Sequence, residues 1–130
     1  MSVTSGPVLW SIDERGVAYV ALNRPEVYNA YNGDMIEGLL KAYDALGAKT
    51  LRAVVITGKG KNFQAGADVA WLNAVRQSSP KENLRASRMT AEAVQRLNLF
   101  AGAHRGAGAR RLLRRRHRHR IGLRHRHCRR

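Results

Sequence analysis

The acidic residues run out before the chain does. All nine Asp and Glu lie in residues 1–100, with twelve of the 24 Lys and Arg, a net charge of +3. Residues 101–130 carry the other twelve basic residues, every one an Arg, and no acid at all. That stretch also lacks Lys, Phe, Trp and Tyr, and its apolar periodicity stops after Phe100. A segment of this kind repels itself and has little to bury. Any core must therefore be built from residues 1–100, and a composition boundary falls after Phe100. Residues 101–130 are expected to form a disordered Arg/His-rich tail.

Several classes fall away on composition. No apolar run approaches the about 20 residues that span a bilayer, and no charged start followed by an apolar core marks a signal peptide. One Cys gives no disulfide framework. A cytoplasmic protein with no membrane partner is the default expectation. The run Arg110 to Arg130 suits non-specific attraction to the phosphates of a nucleic acid. A basic nucleic-acid-binding module is thus the rival reading, although the tail lacks aromatic stacking residues and any known motif spacing. His117, His119, His125 and His127 alternate with Arg, whose charge opposes a cation, and no carboxylate assists. No metal site is expected, and Cys128 has no assigned role.

Within the first 100 residues the pattern is alternating α and β. Val8 to Ile12 and Val17 to Leu22 are β-rich, and Asp13-Glu14-Arg15-Gly16 between them is a turn signal, which predicts a hairpin. Pro25 ends the sheet because it cannot donate to a ladder. Asn32 or Asp34 is expected to cap a helix whose apolar face is Met35, Ile36, Leu39, Leu40, Tyr43 and Leu46, with Gly47 as its terminator. Val54-Val55-Ile56-Thr57 reads as an interior parallel strand covered on both faces. A Gly/Lys loop follows, then Phe63-Gln64-Ala65-Gly66-Ala67-Asp68, a helix from Val69 to Val75, and a second helix from Glu82 to Phe100. Leu84, Met89, Ala93, Leu97 and Phe100 are its expected inner positions. The order β-β-α-β-α-α implies an α/β layered fold.

Two stretches carry a resemblance. Leu22-Asn23-Arg24-Pro25, followed by Asn29-Ala30, resembles the opening signature of the crotonase (enoyl-CoA hydratase/isomerase) family. Val54-Val55-Ile56-Thr57-Gly58, followed by Phe63-Gln64-Ala65-Gly66-Ala67-Asp68, resembles its first oxyanion-hole segment. They occur in the right order and spacing, joined by the expected helix, and the resemblance covers about residues 8–100. The finer pattern Ala67-Asp68-Val69-Ala70-Trp71-Leu72, with the long helix ending Gln95-Arg96-Leu97-Asn98, is similar to methylglutaconyl-type enoyl-CoA hydratases. The resemblance implies the N-terminal part of a repeated ββα spiral, hydration of an enoyl-CoA thioester, and assembly as trimers or hexamers. It implies no cofactor, since coenzyme A belongs to the acyl-CoA substrate.

The implied chemistry explains the small residues. Water adding across the C=C bond of a CoA thioester makes it enolate-like, and charge builds on the thioester oxygen. Two fixed backbone N–H groups can stabilise that charge. By resemblance the backbone N–H of Ala67 is one donor, and Ala65, Gly66, Ala67 and Asp68 line the approach of the substrate. Arg24 is a candidate contact for the CoA phosphates. Trp71 either shapes the acyl pocket or packs, with packing favoured. The bland alternative is an ordinary loop, and in either reading Asp68 is expected to cap the next helix. The family's second donor lies in a Gly-rich turn, where this chain reads Arg114-Arg115-Arg116. Its acid/base glutamates lie further on, and no Glu follows Glu92. The chain is therefore expected to be a truncated, inactive product or a pseudo-enzyme subunit that docks on intact ones.

The tail departs from the family pattern in a way that a slipped reading frame near Phe100 would explain. Reading back one base restores a strand where the frame now gives His104 to Gly108, and Gly-Gly-Gly at Arg114 to Arg116. Without that strand, Val54 to Thr57 is expected to present an open apolar edge and the product to be marginally stable. An intact frame, with matching tails in related genes, would reject the slip.

Overall fold

The computed structural model describes residues 2–102 and 111–114, with side chains for residues 2–99. Eight elements follow in order. These are β1 (Ser2–Val3), β2 (Val8–Ile12), β3 (Val17–Leu22), α1 (Gly33–Gly47), β4 (Ala53–Gly58), α2 (Val69–Gln77), α3 (Pro80–Gly102) and β5 (Arg111–Arg114). A short 3-10 turn, Pro25–Val27, lies between β3 and α1. The strands form one sheet in sequence order, antiparallel from β1 to β3 and parallel from β3 through β4 to β5.

The β2–β3 hairpin forms where the turn residues demand it. Gly16 takes φ +75°, a conformation that costs glycine no Cβ clash. Asp13 Oδ1 accepts from the N–H groups of Arg15 at 2.9 Å and Val17 at 3.0 Å, which closes the turn. Asn32, rather than Asp34, caps α1: its side chain accepts from Met35 N at 3.0 Å.

Alternation along the strands sends Val8, Ala18, Val20, Leu22, Val54 and Ile56 to one face of the sheet. Met35, Ala42 and Leu46 of α1 pack against them. Helix α3 is tied to α1 by Arg96, which pairs with Asp44 at 2.5 Å and sets its guanidinium over the Tyr43 ring at 5.9 Å. Burial pushes the Tyr43 hydroxyl up to about 12, so it stays neutral.

Four expectations need correction. First, β4 is not covered on both faces. Val54 and Ile56 are buried, but Val55 and Thr57 on the opposite face are only half-buried. Second, α1 ends at Gly47 as expected, but without the left-handed cap that glycine favours: Gly47 is the last helical residue, and Ala48 follows in a right-handed conformation. Third, Leu84 is 52% exposed, whereas Ala93 is buried and Leu97 packs on the core. Nine residues before Ala93, at about 100° per residue, Leu84 falls on the opposite face of α3 and is exposed there. Fourth, β4 is not an open edge, and the tail is not without structure throughout. Leu112 and Leu113 pair with Val54 and Val55, so β5 covers Ala53–Ile56. The tail's only adjacent pair of large apolar residues supplies the strand. The expectations for His104–Gly108, the histidines, Cys128, nucleic-acid binding and the frame slip fall outside the described residues. Among those described, no helix is long and apolar enough to cross a membrane.

Candidate active site

Two turns distant in sequence meet at the C-terminal ends of β3 and β4. The first runs from Asn23 to Tyr31 and contains two consecutive non-glycine residues in the left-handed region, Tyr28 (φ 57°) and Asn29 (φ 56°). Such residues cost energy and persist only when their surroundings hold them. Asn29 is held from three sides. It is fully buried, and its Oδ1 accepts from Arg24 N at 2.8 Å. Its Nδ2 donates to Lys59 O at 2.9 Å and to Asn62 O at 2.8 Å. One side chain therefore satisfies the first turn and pins the second, residues 58–62. Gly58 opens that second turn, and a Cβ there would meet Phe63 O, Asn62 O at 2.7 Å and Asn29 Nδ2 at 2.8 Å.

The pinned turn leads into Phe63-Gln64-Ala65-Gly66-Ala67-Asp68, which is joined to the first turn by an isolated parallel bridge between Tyr31 and Ala67. Tyr31 N donates to Gly66 O at 2.9 Å, and Asp68 N donates to Tyr31 O at 2.8 Å. Both bonds use the residues flanking Ala67, so the N–H of Ala67 itself points away from Tyr31. Among the described residues it has no acceptor. Gly66 reaches this arrangement at φ +102° with open space around its Cβ position. Gly66→Ala is therefore expected to lose about 1–3 kcal/mol through backbone strain alone, read as a lower urea midpoint with an unchanged slope.

Asp68 stands between this bridge and α2. Its Oδ1 accepts from Ala70 N at 2.9 Å and Trp71 N at 3.2 Å, the N-cap expected from sequence. Its Oδ2 takes a 3.1 Å ion pair with Arg24, whose other terminal nitrogen donates to Ala30 O at 2.7 Å. The Trp71 N–H, then Arg24, hold the Asp68 carboxyl below the usual carboxylate range. The two side chains are only 18% and 16% exposed. Arg24 is thus an internal tie and not a free surface side chain. Trp71 packs edge-on against Tyr31, centroids 5.8 Å apart. Beside the loop, an apolar cleft of about 310 Å³ lies between α1, α3 and the end of β4, with Tyr31, Phe63, Gln64 and Leu97 on its walls. That is within the size range of small-molecule sites.

The model of the family described as Enoyl-CoA hydratase/isomerase matches residues 13–108. The chain belongs to the enoyl-CoA hydratase/isomerase family. A Thermus thermophilus protein provisionally named enoyl-CoA hydratase is 46% identical over 77 residues, which are 58% of this chain and 30% of that protein. The trans-2-decenoyl-acyl-carrier-protein isomerase of Streptococcus mutans is 41% identical over 63 residues, 48% of this chain and 24% of the isomerase. Among solved structures, an enoyl-CoA hydratase from Mycobacterium smegmatis superposes with a TM-score of 0.67 at 29% identity, over 74% of this chain and 37% of that one. The matched region thus spans under a third of these curated relatives.

For this member of the enoyl-CoA hydratase/isomerase family, the structure brings Arg24, Gly66, Ala67 and Asp68 into one constellation. Of the three residues at the position of the family's Gly-rich turn, Arg114 ends β5, and Arg115 and Arg116 lie outside the described residues. Sequence reasoning missed the roles of Asn29 and Gly58, although both lie in the stretches that carried the resemblance. The available signal was that an Asn ahead of an apolar helix and a Gly closing a strand are residue types suited to special backbone positions.

Proposed function

We propose that this chain carries the thioester-binding half of an enoyl-CoA hydratase/isomerase site, with the backbone N–H of Ala67 as a hydrogen-bond donor to the thioester oxygen of an acyl-CoA. The observation that carries this reading is the orientation of that N–H. It is directed away from the bridge to Tyr31, held by both neighbouring residues, and finds no acceptor among the described residues. A fixed donor of this kind stabilises developing negative charge without reorganising, an effect of a few kcal/mol per donor. The small residues Ala65, Gly66 and Ala67 leave the main chain open to a ligand. The adjoining apolar cleft offers walls for an acyl group.

On this reading the 130 residues bind poorly and turn over nothing, because the second donor position reads Arg114 to Arg116 where the family pattern has a Gly-rich turn. A slip of frame near Phe100 accounts for that departure. The stretch Ala67 to Leu72, with Gln95 to Asn98 at the end of the long helix, supports a methylglutaconyl-type acyl group as the substrate of the intact site.

The test is calorimetric titration of the 130-residue chain with butyryl-CoA, a saturated thioester that cannot be hydrated. Ala67→Pro removes the N–H without breaking any internal hydrogen bond of that group, and Ala67→Ser retains it. Binding should weaken at least tenfold in the proline variant and persist in the serine variant. Equal affinity in all three chains, with the fold intact by circular dichroism, would sink the reading.

A further inference from the structure

The geometry points to Arg24 as a positioning residue that acts through Asp68: it neutralises the carboxylate next to the anion-binding amide, so that negative charge can develop at Ala67 without repulsion from its neighbour. The inference rests on the proposed role of the Ala67 N–H and adds a requirement to it. Asp68 does two jobs that conflict. Its carboxylate caps α2 through the N–H groups of Ala70 and Trp71, which orients the start of the helix and the residue before it. The same carboxylate places a full negative charge one residue from the amide that must attract negative charge. Like charges at such separations disfavour each other strongly where water is partly excluded. Arg24 resolves the conflict. Its ion pair to Asp68 Oδ2 is 3.1 Å long, largely shielded from solvent and therefore weakly screened by salt. The hydrogen bond from Arg24 to Ala30 O fixes the guanidinium in place. Ala30 adjoins Tyr31, the bridge partner of Ala67, so Arg24 braces both sides of the bridge.

A merely structural ion pair and a charge-neutralising one respond differently to the loss of both partners. The probe is acetoacetyl-CoA, whose C2–H lies between two carbonyls. When that bond breaks, the proton passes to solvent and the electron pair forms an enolate with charge on the carbonyl oxygens, which absorbs in the near ultraviolet. At saturating ligand and fixed pH, the enolate fraction reports the stabilisation of negative charge and not affinity. We expect Arg24→Met to lower the enolate-to-keto ratio about tenfold, equal to about 1.4 kcal/mol. Asp68→Asn keeps a capping side chain and should hold or raise the ratio. The double variant should return to within about twofold of Asp68→Asn alone. Arg24→Lys, which retains the charge, should stay near the parent and serves if Arg24→Met does not fold. A double variant as low as Arg24→Met, or no effect of Arg24→Met, overturns the inference while leaving Ala67 as donor. If the parent chain binds no acetoacetyl-CoA, the inference falls together with the reading beneath it.

Discussion

Gly58→Ala is expected to be among the most damaging single substitutions in this chain, lowering stability by about 3 kcal/mol and abolishing measurable acyl-CoA binding. The reason is steric and local. The new Cβ would enter a space already bounded by the carbonyl oxygens of Phe63 and Asn62 and by the Asn29 amide. Two of these three atoms are main chain and cannot swing aside as a flexible side chain would. The turn must open, and Phe63 to Ala67 move with it. Urea denaturation gives the stability, and titration with butyryl-CoA gives the binding. A variant that unfolds at the parent's midpoint would show that the turn yields without cost.

Asn29→Ala should cost a similar amount by a different route. It leaves Lys59 O, Asn62 O and Arg24 N without their partner inside the protein. Buried groups left unpaired cost about 1–3 kcal/mol each, and solvent entering the space recovers part of that. A loss of about 3 kcal/mol or more is the expected result. Alanine at φ 56° adds about 1 kcal/mol of left-handed strain. Asn29→Gly should therefore be the milder change by roughly that amount. Asn29→Asp keeps the acceptor toward Arg24 but sets a carboxylate against two carbonyl oxygens, and should be at least as harmful as alanine. If glycine and alanine are equally destabilising, the backbone conformation is not part of what this residue contributes.

The features legible in the sequence were those set by neighbours in the chain. The face of α1 through Met35, Ile36, Tyr43 and Leu46 follows a 3.6-residue period and is buried. Asp68 caps α2 because a carboxylate reaches N–H groups two and three residues ahead. The hairpin turn at Asp13–Gly16 has the same short range. What stayed hidden depends on partners far along the chain. Nothing local to Arg24 shows that it will pair with a carboxylate 44 residues later instead of facing solvent. Nothing local to Asn29 shows that its amide will serve residues 30 and 33 positions away. Leu84 stands nine residues before the buried Ala93, half a turn out of phase at about 100° per residue, so its exposure follows from the helical period itself and naming it an inner position was an error of phase. The resemblance to the family located the loop, but the physical reasons for its residues came from the contacts.

The long reach of these ties has a consequence for how the site comes into being. Every bond that holds the amide at residue 67 in place from the first turn closes a loop of 30 residues or more. Closing such loops costs chain entropy before any contact repays it, and non-local pairing of this kind slows folding. An isolated peptide spanning residues 58–68 would therefore possess the right letters and none of the geometry. The amide at residue 67 takes its orientation only once β4 has docked beside β3 and the turns they carry have met.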